Sequence, residues 1–217
     1  MDLKLRLAEV LDRIAGACAR SGRRAGSVRL VAVSKTQPIE AVREAFEAGQ
    51  RVFGENYAQE LRDKADALLQ AEWHFIGALQ SNKARLVVGR AALVHTCDRA
   101  SLAQELSKRA AAAGIPQRVL LEVNVGREPQ KGGALPEHVP ALLEKVRGLP
   151  ALQCEGLMCV PPAGQDPRPH FRALRSLAGQ LGLSELSMGM SADYEAAIEE
   201  GATIVRVGTA IFGERPR

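Results

Sequence analysis

The chain alternates short apolar segments with longer segments in which apolar residues recur every three or four positions. The first apolar segment, residues 28–35, is rich in valine and predicts a buried strand that ends on Lys35. Before it, the spacing of Leu3 and Leu7 with later apolar residues predicts an amphipathic helix over residues 3–20. The same two patterns then repeat along the rest of the sequence.

The repeat predicts a closed barrel. Strands are predicted at 28–35, 51–54, 73–77, 93–97, 119–125, 153–160, 185–190 and 203–208. Helices are predicted between them at 38–49, 55–69, 82–88, 99–112, 135–147, 169–181 and 191–200. Because eight alternating strands are the number that closes a cylinder, we predict an α/β fold, a (β/α)₈ TIM barrel, as a single domain over residues 1–217 with an extra N-terminal helix. An open doubly wound sheet is the alternative, but its Gly-x-Gly-x-x-Gly fingerprint is absent after the first strand.

Composition excludes several classes of protein. The 217 residues are 46% hydrophobic, which is enough for a large core, and the net charge of +4 is too diffuse to indicate a nucleic-acid surface. The four cysteines lack metal or redox spacing, so we expect reduced thiols and no metal site. The sequence has neither a signal peptide nor an apolar run of about 20 residues. We therefore expect a cytoplasmic protein without membrane contact, and a monomer, because no heptad seam is present.

Lys35 at the end of a predicted buried strand has two explanations. It either leaves the sheet and extends into solvent, or it faces a pocket where its amine can form an imine with a carbonyl compound. In a TIM barrel the carboxyl ends of the strands carry the active site, which favours the second explanation.

The last two predicted strands end on glycine-containing loops. Gly189 to Ser191 and Gly208 with Thr209 follow strands seven and eight, where barrels often bind phosphate. These glycines also fit a simple turn of the chain. A lysine facing a phosphate site indicates a ligand with a carbonyl and a phosphate, of which pyridoxal phosphate (PLP) is the commonest cofactor.

Six sequence motifs carry a family resemblance. They are VAVSK at 31–35, FGENYAQE at 53–60, WHFIG at 73–77 with LQSNK at 79–83, GLM at 156–158, LSMGMSAD at 186–193 and VRVGTAIFG at 205–213. Together they closely resemble the pyridoxal phosphate homeostasis proteins, across almost the whole chain. The resemblance implies a barrel like the N-terminal domain of alanine racemase, with PLP held covalently by Lys35. It implies these further cofactor-binding residues: Asn56, His74, Met188, Ser191, Arg206, Gly208 and Thr209.

Within that set the resemblance assigns individual roles. Ser191, Gly208 and Thr209 would hold the phosphate, Arg206 would face the pyridine nitrogen, and Asn56 would lie beside the ring. A permanently charged guanidinium disfavours protonation of that nitrogen and so weakens the ring as an electron sink. The chain ends at Arg217, a few residues after the eighth predicted strand, and we expect no added domain to supply a second catalytic base.

The function implied by the resemblance is a PLP-binding protein. It would hold the cofactor as a lysine aldimine and take part in intracellular PLP homeostasis without substantial catalysis, with PLP-dependent apoenzymes as candidate recipients. One alternative is a small PLP-dependent racemase or decarboxylase with Tyr57 or His74 as the base. Another is an imine-forming aldolase, for which Glu55 is the nearest acid-base candidate. We assign no role to His95, His138 and His170.

Overall fold

A closed barrel of parallel strands forms the centre of the protein in its computed structural model, which describes residues 2–213. The strands are β1 Arg29–Val33, β2 Val52–Glu55, β3 Glu72–Phe75, β4 Leu93–Cys97, β5 Gln117–Glu122, β6 Leu152–Met158, β7 Glu185–Ser187 and β8 Ile204–Val207. Each strand pairs with the next one in the chain, and β8 pairs with β1 to close the barrel. The predicted TIM barrel is confirmed. The predicted outer limits of the domain, residues 1 and 217, lie outside the described residues.

Helices surround the barrel. They are α1 Leu3–Arg20, α2 Ile39–Glu47, α3 Ala58–Ala67, α4 Ala84–Val87, α5 Ala100–Ala113, α6 Val139–Arg147, α7 Arg168–Gln180, α8 Tyr194–Glu199 and α9 Thr209–Phe212. Short 3₁₀ turns at Ser81–Lys83 and Pro136–His138 lead into α4 and α6. The periodicity did not predict α9, because a four-residue helix contains too few turns to show a pattern.

The predicted N-terminal helix is α1, and it packs against the end of the described chain. The side chain of Asp2 accepts a hydrogen bond from the backbone N–H of Lys4 and caps the helix. On the outer side of α1, the guanidinium groups of Arg13 and Arg20 both pair with Glu195 on α8. The carbonyl of Ile211 on α9 accepts from Arg6 Nε at 2.6 Å. Helix α1 therefore ties the two C-terminal helices together.

Apolar side chains form two separate cores. A small cluster fills the interior of the barrel: Val31, Leu93, Leu120, Met158 and Ile204. A much larger cluster lies between the strands and the helices and includes Leu30 and Ala32, the chain neighbours of Val31. Because successive strand residues face opposite sides of a sheet, residues two apart share the interior or the exterior. This alternation decides which side chains reach the cavity described below.

Six strands end one to three residues earlier than predicted, and the early ends of β1 and β7 shape the functional site. Strand β1 stops at Val33, because the chain turns at Lys35 and Thr36, and Thr36 has a φ of 63°. Strand β7 stops at Ser187 instead of residue 190, because Gly189 adopts a φ of 93° and begins a turn. In that turn Asp193 Oδ1 accepts from the backbone N–H of Met190 at 2.6 Å, and α8 follows.

Residues 2–213 contain neither a membrane-spanning helix nor a cluster of metal ligands. No helix in this part of the chain has both the length and the apolar character needed to cross a membrane. The same residues contain no group of three or more histidine, cysteine, aspartate or glutamate side chains that could hold a metal ion.

Candidate functional site

A cavity of about 480 Å³ opens at the carboxyl ends of the strands. Its volume lies within the range of small-molecule pockets in proteins, about 300–1,000 Å³. Most residues that the sequence analysis assigned to the cofactor line it together: Lys35, Asn56, Ser191, Arg206, Gly208 and Thr209. The barrel closure explains this arrangement, because pairing of β8 with β1 brings residues near positions 35 and 206 to adjacent strands.

Lys35 lies in a turn whose backbone is held on both sides. Before it, the carbonyl of Ser34 accepts from Lys64 Nζ at 2.7 Å. After it, the N–H of Thr36 donates to Glu60 Oε2 at 2.8 Å. Thr36 has the left-handed backbone conformation that residues other than glycine rarely adopt. Side chains of α3 therefore fix this turn, and the turn holds Lys35 half-buried at the cavity wall.

The groups that fix this turn form an ionic cluster behind the cavity. We call Ser34, Glu55, Glu60 and Lys64 the Lys64 cluster. Lys64 Nζ lies 2.8 Å from Glu55 Oε1 and 3.0 Å from Glu60 Oε2, and Ser34 Oγ donates to the same Glu55 oxygen at 2.7 Å. Glu55 is completely buried, and this burial raises the pKa of its carboxyl against the lowering effect of Lys64. Burial acts in the same direction on Glu60, but hydrogen bonds from Thr36 and Lys64 leave the pKa of Glu60 below its usual value.

Beside the Lys35 turn, the loops after β7 and β8 meet. The backbone N–H of Gly208 donates to Ser191 Oγ at 3.4 Å, which joins the two loops directly. A Cβ atom at Gly189 would lie 2.6 Å from the Cβ of Ala197, and one at Gly208 would lie 3.1 Å from the carbonyl oxygen of Val33. Both glycines therefore permit a close approach of backbone segments, and they do more than turn the chain.

Arg206 is the buried cation of the site. It projects from β8 and is only 5% exposed. Its Nη1 donates to Ser187 Oγ at 2.6 Å and its Nη2 donates to the carbonyl of Cys159 at 2.9 Å, so both acceptors described for it are neutral. Burial lowers the pKa of the guanidinium, which nevertheless stays charged in proteins.

The structure places His74 and Met188 outside the lining of this cavity. His74 faces the barrel interior, but its ring lies beneath the cavity and hydrogen-bonds to His95 and Glu72. Ile76, which follows the end of β3, reaches the cavity instead. Met188 follows the inward-facing Ser187, so strand alternation turns it outward into the large core, where it is fully buried.

The cavity lining also contains residues that the sequence analysis did not assign individually to the cofactor: Val33, Ile76, Val160, Met190 and Ala192. The alternation rule could have found Val33, which lies two positions before Lys35, and Ile76, which lies two positions after His74. The other three lie in loops, where strand periodicity gives no signal.

The alternative catalytic residues also lie outside the cavity lining. Tyr57 is 55% exposed and lines a neighbouring pocket of about 250 Å³ with Gln80 and Lys83. Glu55 belongs to the Lys64 cluster.

A third pocket, of about 200 Å³, shares Val160 with the cavity and contains Glu122. Burial, and then the nearby charge of Asp98, raises the pKa of the Glu122 carboxyl to about 7.

The cavity suits a small ligand with a carbonyl at one end and an anion at the other. Lys35 supplies an amine, Arg206 a fixed positive charge, and Ser191 and Thr209 hydroxyl groups beside a glycine N–H. Asn56 Oδ1 is buried without a hydrogen-bond partner among the described groups. Because a buried polar atom without a partner costs free energy, this oxygen indicates that the wall is shaped for a polar ligand.

Comparisons with known proteins agree on one family. A sequence model described as the N-terminal domain of alanine racemase matches residues 10–216. The pyridoxal phosphate homeostasis protein of Pseudomonas aeruginosa is 50% identical over 216 residues, covering 96% of this chain and 94% of that protein. The protein of the same description from Aquifex aeolicus is 49% identical over 221 residues, covering 97% of each. Among solved structures, PipY of Synechococcus elongatus with PLP bound is 38% identical with a TM-score of 0.86, covering 98% of this chain and 100% of that one.

Proposed function

The chain belongs to the family of pyridoxal phosphate homeostasis proteins, and on this premise we propose that it binds PLP in the cavity at the carboxyl ends of its strands. The observation that carries the proposal is the convergence of Lys35, Arg206 and the Ser191 to Thr209 wall on one cavity. The bound PLP in the related PipY supports the same ligand. In this proposal the protein takes part in intracellular PLP homeostasis.

Each wall of the cavity has a proposed role in binding. Lys35 would hold the cofactor through its Nζ amine, which can form a C=N bond with an aldehyde carbon while the aldehyde oxygen leaves as one water molecule. Ser191, Thr209 and the N–H of Gly208 would hold the phosphate, and Arg206 would face the pyridine nitrogen. Asn56 lies beside the ring, where its unpartnered oxygen can accept a hydrogen bond from a ring substituent.

We propose that binding proceeds without substantial catalysis. The described lining of the cavity contains no histidine, tyrosine or carboxylate, which are the usual acid-base groups. Arg206 adds to this effect, because a fixed positive charge disfavours a protonated pyridine and weakens electron withdrawal by the ring. No observation favours the racemase, decarboxylase or aldolase alternatives, since Tyr57, His74 and Glu55 all lie outside the lining.

The physiological setting is part of the same proposal. We propose that the protein acts in the cytoplasm as a single-domain monomer and that PLP-dependent apoenzymes receive its cofactor. The cavity supports a carrier role, because its mouth is open at the end of the barrel. Measurement of the molar mass in solution with and without PLP, and of PLP transfer to an apoenzyme, tests these points separately.

The decisive experiment is chemical labelling of the bound cofactor. PLP is added to the purified protein, the C=N bond is reduced with borohydride, and the modified residue is located by peptide mass spectrometry. We expect a visible absorbance band and a reduced adduct on Lys35, both absent from Lys35→Ala. Lys83→Ala, which removes a lysine from the neighbouring pocket, is the matched control and should retain both. An unmodified Lys35 in a protein that binds PLP would refute the covalent link, and absence of PLP binding would refute the function.

A further inference from the structure

A row of hydrogen-bonded polar side chains crosses the interior of the barrel from its floor to the cavity. We call Glu72, His74, His95 and Ser187 the histidine relay. Glu72 Oε1 lies 2.9 Å from His74 Nε2, and His74 Nδ1 lies 2.9 Å from His95 Nε2. His95 Nδ1 lies 2.8 Å from Ser187 Oγ, which accepts from Arg206 Nη1 at 2.6 Å. The relay therefore connects the guanidinium of the cofactor site with a carboxylate at the start of β3.

The strand register explains how residues so distant in sequence come together. His74 pairs in register with Gly54 on one side and with Leu93, a member of the inner core, on the other. His95 follows Leu93 by two positions, and Ser187 pairs with Ile204, another inner-core residue. His74, His95 and Ser187 are completely buried, whereas the Glu72 side chain is 40% exposed.

The positions of the protons follow from the two ends of the relay. An ionised Glu72 only accepts hydrogen bonds, so His74 Nε2 must carry a hydrogen and donate it. Burial holds the pKa of both imidazoles below its usual value, so each ring is neutral and has one donor and one acceptor. His74 Nδ1 is then an acceptor, and His95 must donate from Nε2.

The same reasoning continues to the cavity. Because His95 donates from Nε2, its Nδ1 is an acceptor and Ser187 must donate its hydroxyl hydrogen to it. The lone pairs of Ser187 then accept from Arg206, which has only donors. Every hydrogen bond therefore points from Arg206 toward Glu72. Chains of hydrogen bonds with one direction polarise each other, and a low-dielectric interior strengthens the effect.

Glu72 adds a distant counter-charge for the buried Arg206 to the carboxylates of Asp193 and Glu122, which act on the guanidinium through space. Both acceptors that contact its guanidinium are neutral, and the carboxylate at the other end of the relay is partly in solvent. The hydrogen bond from His74 lowers the pKa of Glu72, and the nearby positive charges of Arg29 and Arg118 act in the same direction. Glu72 therefore remains negative at neutral pH.

We propose that Glu72, His74, His95 and Ser187 are positioning residues that hold the Arg206 guanidinium in place and transmit the counter-charge of Glu72 to the cofactor site. The effect of this counter-charge on the pyridine ring of a bound cofactor rests on the proposed function. The hydrogen bonds of the relay exist in the protein without ligand. The relay also explains why His74 hydrogen-bonds beneath the cavity without lining it.

The first test examines the protein without cofactor. Nitrogen-15 NMR of the histidine rings distinguishes the Nδ1–H and Nε2–H tautomers and the doubly protonated form. We expect His74 and His95 to be Nε2–H tautomers that are still neutral at about pH 6.5, where an ordinary imidazole is half protonated, because burial lowers the pKa of both rings. An Nδ1–H tautomer or a ring that titrates near its ordinary pKa would overturn the relay, whether or not the protein binds PLP.

The second test removes the charge and keeps the shape. Glu72→Gln still offers an oxygen to His74, so a merely structural role would leave the site unchanged. We expect the Arg206 side-chain NMR signal to shift in the ligand-free variant. With PLP bound, we expect the pH midpoint of the visible band to fall by about half a unit, because the less compensated Arg206 disfavours a protonated chromophore. Glu185→Gln, which removes a carboxylate from the start of β7, is the matched control and should cause neither change.

A second variant keeps the test decisive if Glu72→Gln does not fold. Ser187→Ala removes one oxygen and interrupts the relay beside Arg206. We expect the Arg206 signal to shift and the midpoint of the band to fall as well. If Arg206 is unaffected in either folded variant, the proposal is wrong. If wild-type protein shows no PLP band, the proposed function fails, and the ligand-free NMR results still decide the relay.

Discussion

The two cations of the cavity are held in opposite ways. Behind Lys35, the Lys64 cluster uses formal charges that meet directly, with Lys64 in contact with Glu55 and Glu60. Beneath Arg206, the histidine relay uses neutral groups and keeps the carboxylate at the far end. The cluster fixes a backbone turn, whereas the relay fixes a side chain. The comparison teaches that direct ion pairs hold the Lys35 turn from outside the barrel, whereas neutral polar groups connect Arg206 with its distant carboxylate through the interior.

We expect the largest change in stability when the charge of Lys64, at the centre of the Lys64 cluster, is removed. Lys64→Met leaves Glu55 buried beside an apolar side chain, and we expect the free energy of unfolding to fall by about 3 kcal/mol. Denaturant unfolding measures the change. Because burial already raises the pKa of Glu55, its protonation should reduce the loss at pH 5 relative to pH 8. The double variant Lys64→Met with Glu55→Gln should recover at least half of the loss, and a failure to recover would show that the charge is not the cause.

Interruption of the relay should cost less than loss of the Lys64 charge. His95→Phe leaves His74 and Ser187 each without one neutral hydrogen-bond partner, and we expect a loss of about 2 kcal/mol in the same measurement. His138→Phe, at an exposed position, is the control and should stay within about 0.5 kcal/mol of the wild type. If His95→Phe lowered the free energy of unfolding more than Lys64→Met does, the relay would contribute more stability than the Lys64 cluster, contrary to this prediction.

The raised pKa of Glu122 predicts that the free energy of unfolding depends on pH. Its pKa of about 7 in the folded protein, against 4.5 as its ordinary value, means that the folded state binds more protons between these limits. The stabilisation by the neutral carboxyl is therefore complete below about pH 4.5 and is lost as pH rises through about 7. We expect Glu122→Gln to be more stable than wild type by about 1 kcal/mol at pH 8 and nearly equal at pH 5, in parallel unfolding curves. Equal curves at both pH values would contradict this assignment.

The smallest predicted effect concerns the turn beside Lys35. Thr36→Gly relieves the left-handed conformation but adds freedom to the unfolded chain, and we expect a net gain of about 0.5 kcal/mol. Gln37→Gly is the control at a neighbouring position without positive φ, and it should lose about 0.5 to 1 kcal/mol. A loss at Thr36 equal to the loss at Gln37 would show that the turn is not strained.

The sequence predicted the barrel because the alternation of strands and helices is a local pattern. The strand end at Lys35 and the glycines at 189 and 208 are also visible without any tertiary information, whereas Asn56 and Arg206 received their roles from the family resemblance. Met188 was assigned to the site through the family resemblance, and the structure instead turns it outward into the large core, because it follows the inward-facing Ser187. The relay was missed because its partners come from β3, β4, β7 and β8, and hydrogen bonds across a barrel leave no periodic signal. His95 was given no role, although its position two residues after Leu93 could have placed it in the interior.

The docking of α1 on α8 and α9 has a consequence for synthesis of the chain. Arg13 and Arg20 reach partners about 180 residues later, and Arg6 reaches Ile211. At about 5–20 residues per second, a ribosome needs roughly 10 to 40 s to deliver that distant surface. Throughout this interval the apolar face formed by Leu3, Leu7 and Val10 lacks its final covering, so the nascent helix keeps its leucines exposed until the C-terminal helices have been synthesised.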